Sequence, residues 1–239
     1  MGEEEAASHR EYTSIFGLLQ IFAAYLYAIM TEQNLKYYLS SPRFNVYLAK
    51  TNNDFDKAYR LYKVNIELSE AFYPILSVLE ISLRNAIHET LKTHFQDEYW
   101  FKNKLPVEFL PFVSEAIQKL TAQRKTITAD RIIAELNFGF WNRLFNRHYT
   151  SLLWKTLRLI FKNMPKHLRQ RDTIADALYR IRTLRNRIYH YEPIFGDLQD
   201  IEKQYNEMVT FLIWFDRDLP RLLTDIDRFN NILNKAKTI

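Results

Sequence analysis

The sequence contains no cysteine. That excludes disulfides, thiolate catalysis and cysteine-based zinc sites, and it fits a reducing cytoplasm. Glycine is nearly as scarce, at 4 residues. A glycine-rich phosphate loop is absent with it. There are only 7 prolines, so few turns are marked and long helices are favoured over many short strands. No strand-length run alternates apolar and polar residues, and there is neither an internal repeat nor a low-complexity segment. No serine nucleophile motif appears. His88 with His94, and His148 with His167, lack carboxylate partners at ligand spacing, so no metal and no cofactor is expected.

What is present is apolar bulk. Hydrophobic residues make up 47% of 239, with 15 Tyr and 17 Phe. That suits one large domain, or one domain with an appendage. The expected organisation is an N-terminal hydrophobic extension over residues 1–33 and a single domain over 34–239.

Charge is unevenly spread. The net charge is +5, but Trp141 to His190 holds 12 Lys/Arg against 2 Asp/Glu, a net +10. The remainder carries a net −5. A local excess of that size is an electrostatic footprint for a polyanion, although a solvated basic face would look the same.

Ser14 to Met30 has no charge over 17 residues. That is the short limit for a membrane span. A signal peptide would want a basic leader, and this one begins Met-Gly-Glu-Glu-Glu. Three readings stay open: a buried or partner-facing helix, a single membrane anchor, or an extension upstream of a true start at Met30. The favoured reading is a helix peripheral to function, with no membrane partner.

Past Met30 the pattern is helical throughout. Asn34 to Ala49 is interrupted near Pro42, and Asn53 or Asp54 can cap the next helix. Pro74 restarts the chain into Ile75 to Phe95, where Leu76, Leu79, Leu83, Ile87 and Leu91 form one stripe. Helices are also expected over Pro106 to Arg124, after a Thr128 or Asp130 cap, and over Phe138 to Phe145, Leu152 to Phe161, Asp172 to Tyr191, Phe195 to Phe215 and Pro220 to Lys235. The fold class is all-α.

One segment carries more chemistry than the rest: Leu184-Arg185-Asn186-Arg187-Ile188-Tyr189-His190-Tyr191-Glu192-Pro193. Arginine can neutralise a phosphate, and histidine can move a proton near neutral pH. On a helix the step from Arg185 to His190 is about 140° and ~7.5 Å. Asn186 and His190, four apart, share a stripe, so Asn186 can hold the ring. Arg182 and Tyr189 lie beside Arg185, and Arg187 adds charge. A ribonuclease needs a base for the 2′-hydroxyl, an acid for the leaving oxygen and a cation for the transition state. One copy offers one such histidine; two facing copies would offer two.

Two further constellations follow. Glu80, Arg84 and His88 are spaced by four, with Asn85 beside them, and read as one polar line with a Glu80–Arg84 ion pair. Arg84 could be a second RNA contact or a plain salt-bridge partner. In Phe138 to Phe145 the aromatics lie near Asn142, Arg143, Asn146 and Arg147. They could stack on unpaired bases or form core.

With these residues in view, the chain resembles the abortive-infection (Abi) proteins, the AbiD/AbiF-like group of the HEPN superfamily. The matching pieces run in order over about residues 35 to 215. They are Tyr38-Leu39-Ser40 with Arg43-Phe44; Tyr59 to Phe72, including Asn65; Glu80 with Leu83-Arg84-Asn85; Phe138-Gly139-Phe140-Trp141 with Arg143-Leu144-Phe145; and Leu184 to Phe195. The resemblance implies a HEPN-type helical bundle with additional peripheral helices. It implies metal-independent RNA cleavage by an Arg-x4-His site, with Arg185, Asn186 and His190 at the catalytic positions. The product ends would be 2′,3′-cyclic phosphates. It also implies a homodimer that acts as a toxin in phage defence, restrained by a protein or noncoding-RNA antitoxin. Some relatives carry a tyrosine two residues after the histidine; here that residue is Glu192.

The leading expectation is therefore an endoribonuclease. Arg84, Arg143, Arg147, Arg182 and Arg187 would bind RNA, and Glu80, Asn85 and Tyr189 would support the site. A non-catalytic RNA-binding or sensor module is the alternative, and a membrane-anchored effector a third.

Overall fold

A computed structural model describes residues 30–239 of the chain. The described residues are helical, with no strand among them. They fall into two compact units, one over residues 30–59 and one over Arg60–Ile239. Of the charge-free N-terminal segment only Met30 is described; the rest lies outside. Among the described residues no helix is long and apolar enough to cross a membrane.

The first unit holds α1 (Glu32–Leu39) and α2 (Ser41–Lys50), with Pro42 in the first turn of α2. The proline restarts the helix because its missing N–H would be an orphan there in any case. Helix α3 (Phe55–Ala71) follows. Its first turn is capped by Asp54, whose carboxylate accepts the Lys57 N–H at 3.0 Å. The boundary between the units falls within this helix.

The second unit is built on α4 (Tyr73–Phe95), again with a proline, Pro74, in its first turn. The stripe Leu76, Leu79, Leu83, Ile87 and Leu91 is buried, as the spacing requires. Full burial of each such side chain is worth about 1.5–3 kcal/mol. Around it stand α5 (Trp100–Asn103), α6 (Leu110–Ala122), α7 (Ala129–Glu135), α8 (Phe138–Arg143) and α9 (Lys155–Leu157). The long α10 (Arg171–Tyr189) and α11 (Leu198–Phe215) follow, and α12 (Phe229–Ala236) ends the chain. Helix α10 packs against α8 on one side and α11 on another.

Two expected helices are broken. Over Leu152 to Phe161 the chain runs through a π-helical turn (Thr150–Trp154), then the short α9, then a 3-10 turn (Arg158–Ile160). Over Pro220 to Lys235 a 3-10 turn (Leu219–Leu223) is separated from α12. In both places local propensity gives way to packing, since Leu153, Leu157 and Leu223 all turn inward.

The aromatic run at α8 is core. Phe138, Phe140, Trp141 and Phe145 are buried, and Phe140 meets Phe109 edge-on with ring centroids 5.5 Å apart. Stacking of these rings on bases is therefore ruled out by burial, and the packing reading holds.

Candidate nucleic-acid interface

Helix α10 positions the candidate residues. Ile174, Ala177, Leu178, Ile181 and Leu184 are its buried stripe, and the opposite side of the helix faces outward. Its N-terminal half borders a cleft of ≈ 630 Å³ shared with α8 and the loop after it. Arg143, Arg147, Arg171 and Arg182 line the cleft against a single carboxylate, Asp176. Asn137, Asn142 and Asn146 add amides, and Phe112 and Tyr179 add aromatic surface.

These arginines differ in how they are held. Arg143 donates from Nε to the Tyr149 hydroxyl at 3.4 Å and lies 5.6 Å from the Phe109 ring centroid. Tyr149 in turn donates to Glu108 at 2.9 Å. Backbone and Tyr149 hydrogen bonds hold the Glu108 carboxyl below its ordinary value. Arg171 is anchored by the Phe145 carbonyl at 2.7 Å and by Asp172. Arg147 and Arg182 have no ion pair among the described residues. Gly139 lets Arg182 come close. A methyl group there would stand 3.6 Å from a terminal guanidinium nitrogen of Arg182 and 3.0 Å from Asn137 Oδ1.

One turn along α10, the environment changes. Arg185 Nε donates to Glu80 Oε2 at 3.0 Å. The two side chains retain 23% and 25% of their exposure, so the pair is sheltered yet reachable from solvent. The guanidinium carbon lies 4.4 Å from the Tyr189 ring centroid and 5.9 Å from that of Phe138. Glu80 and Tyr189 thus hold Arg185 in place. Asn186 is half-buried, and Tyr189 and His190 are exposed.

His190 caps the helix. Its backbone N–H donates to the Asn186 carbonyl at 2.9 Å. The chain then reverses. Tyr191 takes φ +57°, its N–H donates to Ile188, and the Glu192 N–H donates to Arg187 at 2.9 Å. This is a Schellman-type stop with tyrosine where glycine is usual. Arg187 fastens the turn through the Pro193 carbonyl and through Glu192 at 3.7 Å. Next, the buried Asn65 accepts the Ile194 N–H at 2.8 Å. Arg187 therefore serves the turn rather than the cleft.

The polar line on α4 is only partly formed. Glu80 turns to Arg185 instead of Arg84. Arg84 donates to Asn85 Oδ1 at 3.3 Å and to the Ala134 carbonyl at 3.4 Å, outside the cleft. His88 is buried, and Trp100 Nε1 donates to its Nδ1 at 3.1 Å. Its Nε2 must then carry the proton, and that nitrogen has no hydrogen-bond partner among the described residues. Burial pushes its pKa below the ordinary imidazole value.

The structure thus gathers Arg143, Arg147 and Arg182, sets Arg185, Asn186 and His190 at the end of the same helix, and leaves Arg84 and Arg187 aside. Arg171, Asn137 and Tyr179 were missed as site residues. For Arg171 and Tyr179 the spacing Arg171, Ala175, Tyr179, Arg182 along one stripe of α10 was the available signal; Asn137 had none. No protein-family profile, curated protein or solved structure matches the chain.

Proposed function

We propose that the protein is a metal-independent endoribonuclease of the HEPN type, acting as a cytoplasmic toxin in phage defence and restrained by a protein or noncoding-RNA antitoxin. One observation carries this reading. The arginine-lined cleft follows α10 as far as Arg182, one turn before Arg185 and about two turns before His190 on the same helix. A strand held in the cleft and continuing past Arg182 along α10 would meet that cation and imidazole.

In this reading His190 takes the 2′-hydroxyl proton. The 2′-oxygen forms a bond to phosphorus as the bond to the 5′-oxygen breaks, which leaves a 2′,3′-cyclic phosphate and a 5′-hydroxyl. Arg185 offsets charge on the phosphoryl oxygens, and Glu80 aims the guanidinium. Asn186 fixes the helix stop through its carbonyl. A second histidine, to protonate the leaving oxygen, would come from a partner copy across a homodimer. General acid–base catalysis of this kind is worth about 10²–10⁴-fold.

The test is incubation of the pure protein with labelled RNA in EDTA. Fragments with cyclic phosphate ends are expected. The Arg185–Glu80 pair favours one other reading, a non-catalytic RNA-binding or sensor module in which Arg185 is structural. Retention of RNA without fragments would establish that module instead.

A further inference from the structure

The arginine cleft does not end at Arg147 and Arg171. A second hollow of ≈ 570 Å³ adjoins it, bounded by Thr150, Trp154, Gln170 and Asp172 and sharing those same two arginines. Each chamber lies within the range of about 300–1,000 Å³ typical of small-ligand sites. Arg147 and Arg171 form the ridge between them. The wall of the second chamber is the π-helical turn Thr150–Trp154. Such turns are rare and recur at functional sites.

The chemistry of the two chambers is alike. Each offers a partly open aromatic surface, Phe112 and Tyr179 in the first and Trp154 in the second. Amides border both, from Asn142 and Asn146 in one and Gln170 in the other. The positive charge sits at the ridge, at Arg182 and at Arg143, which is held by the Tyr149 hydroxyl. Arg171 is ion-paired with Asp172 and mostly buried, whereas Arg147 and Arg182 are exposed and have no acidic mate among the described residues. Arg185 and His190 line neither chamber.

We propose that this two-chambered groove is a strand-binding exosite. It takes two consecutive unpaired nucleotides of RNA, one in each chamber, with the phosphate between them on the Arg147–Arg171 ridge, away from the bond that is cut. Paired bases hide their faces and edges, whereas splayed bases can enter hollows with aromatic walls and amide rims. A lone anion would leave most of the cations unsatisfied; a strand supplies successive phosphates. The proposal rests on the RNA-nuclease reading for its biological sense, but its test is independent of cleavage.

The experiment uses the full chain carrying His190→Ala, so that the probe survives, and a fluorescein-labelled single-stranded oligouridine. Anisotropy gives Kd over a range of salt. Arg147→Ala with Arg182→Ala should weaken binding about 100-fold and reduce the salt slope by about 2. Trp154→Ala should weaken it about tenfold. The same length of RNA in duplex should bind at least about tenfold more weakly than the single strand. Unchanged affinity in the double arginine variant would overturn the exosite, as would equal binding of the duplex or of a polyglutamate peptide. Should the double variant fail to fold, Arg147→Ala and Trp154→Ala are read singly against the same thresholds. If wild-type protein binds in this way but cuts nothing, the nuclease reading fails and the exosite stands. If it cuts RNA while the groove variants bind normally, the reverse holds.

Discussion

Arg182 and Arg185 lie one turn apart on α10 and are in opposite states. Arg182 is exposed, rests over Gly139 and has no ion pair among the described residues. Arg185 is gripped by Glu80 and stacked against Tyr189. The difference teaches what each can do. A free guanidinium adapts to a phosphate wherever a strand places it, at the cost of ordering its own side chain on binding. A held guanidinium presents charge at one fixed point, which is what transition-state stabilisation requires.

The sharpest way to break that contrast is to delete each side in turn. Arg185→Ala or His190→Ala should lower cleavage about 10³-fold while RNA remains bound. Arg182→Ala should weaken binding and spare the rate at saturating RNA. Cleavage at wild-type rate in either Arg185→Ala or His190→Ala would remove those roles.

Glu80→Ala tests whether the grip on Arg185 matters. It should cost about tenfold in kcat with KM little changed, the size expected of a positioning group. An unchanged kcat would mean that Tyr189 alone suffices.

Tyr191→Gly probes the helix stop. A left-handed non-glycine residue costs roughly 1–2 kcal/mol, and added backbone freedom in the unfolded chain returns roughly half of that. The variant should be more stable by about 0.5–1 kcal/mol in denaturant unfolding. A loss of stability would show that the exposed tyrosine ring contributes more than the strain removes.

The smallest effect concerns a second contrast, between the exposed His190 and the buried His88. Burial lowers the His88 pKa from 6.5. The unfolded chain therefore takes up its proton first as pH falls. Stability from keeping His88 neutral is fully present above about pH 6.5 and is lost as pH drops towards the lowered folded value. Tm should decline modestly on acidification through that window, and His88→Phe should flatten the response. An equal decline in that variant would assign the effect elsewhere.

The parts of the fold legible in the sequence were those written locally. Pro42 and Pro74 mark helix starts, and the Leu76-to-Leu91 stripe declares a buried face. The breaks at Thr150–Trp154 and after Leu223 were not legible, because they answer to neighbours distant in sequence. For the site, the same division applies. Arg143, Arg147 and Arg182 could be flagged by charge density. Glu80 could be flagged as a supporting residue, but helical spacing pairs it with Arg84 and says nothing of Arg185, 105 positions away.

By itself, then, the sequence determined the helical class, the buried stripes and the concentration of positive charge, since all three depend on composition and on spacing within a helix. Only the tertiary structure decided which arginines are neutralised and which remain open, and that α10 joins the two kinds along one face. Ion pairing depends on separation in space, and the fold alone brings Glu80 to Arg185 while leaving Arg147 and Arg182 without an ion pair among the described residues.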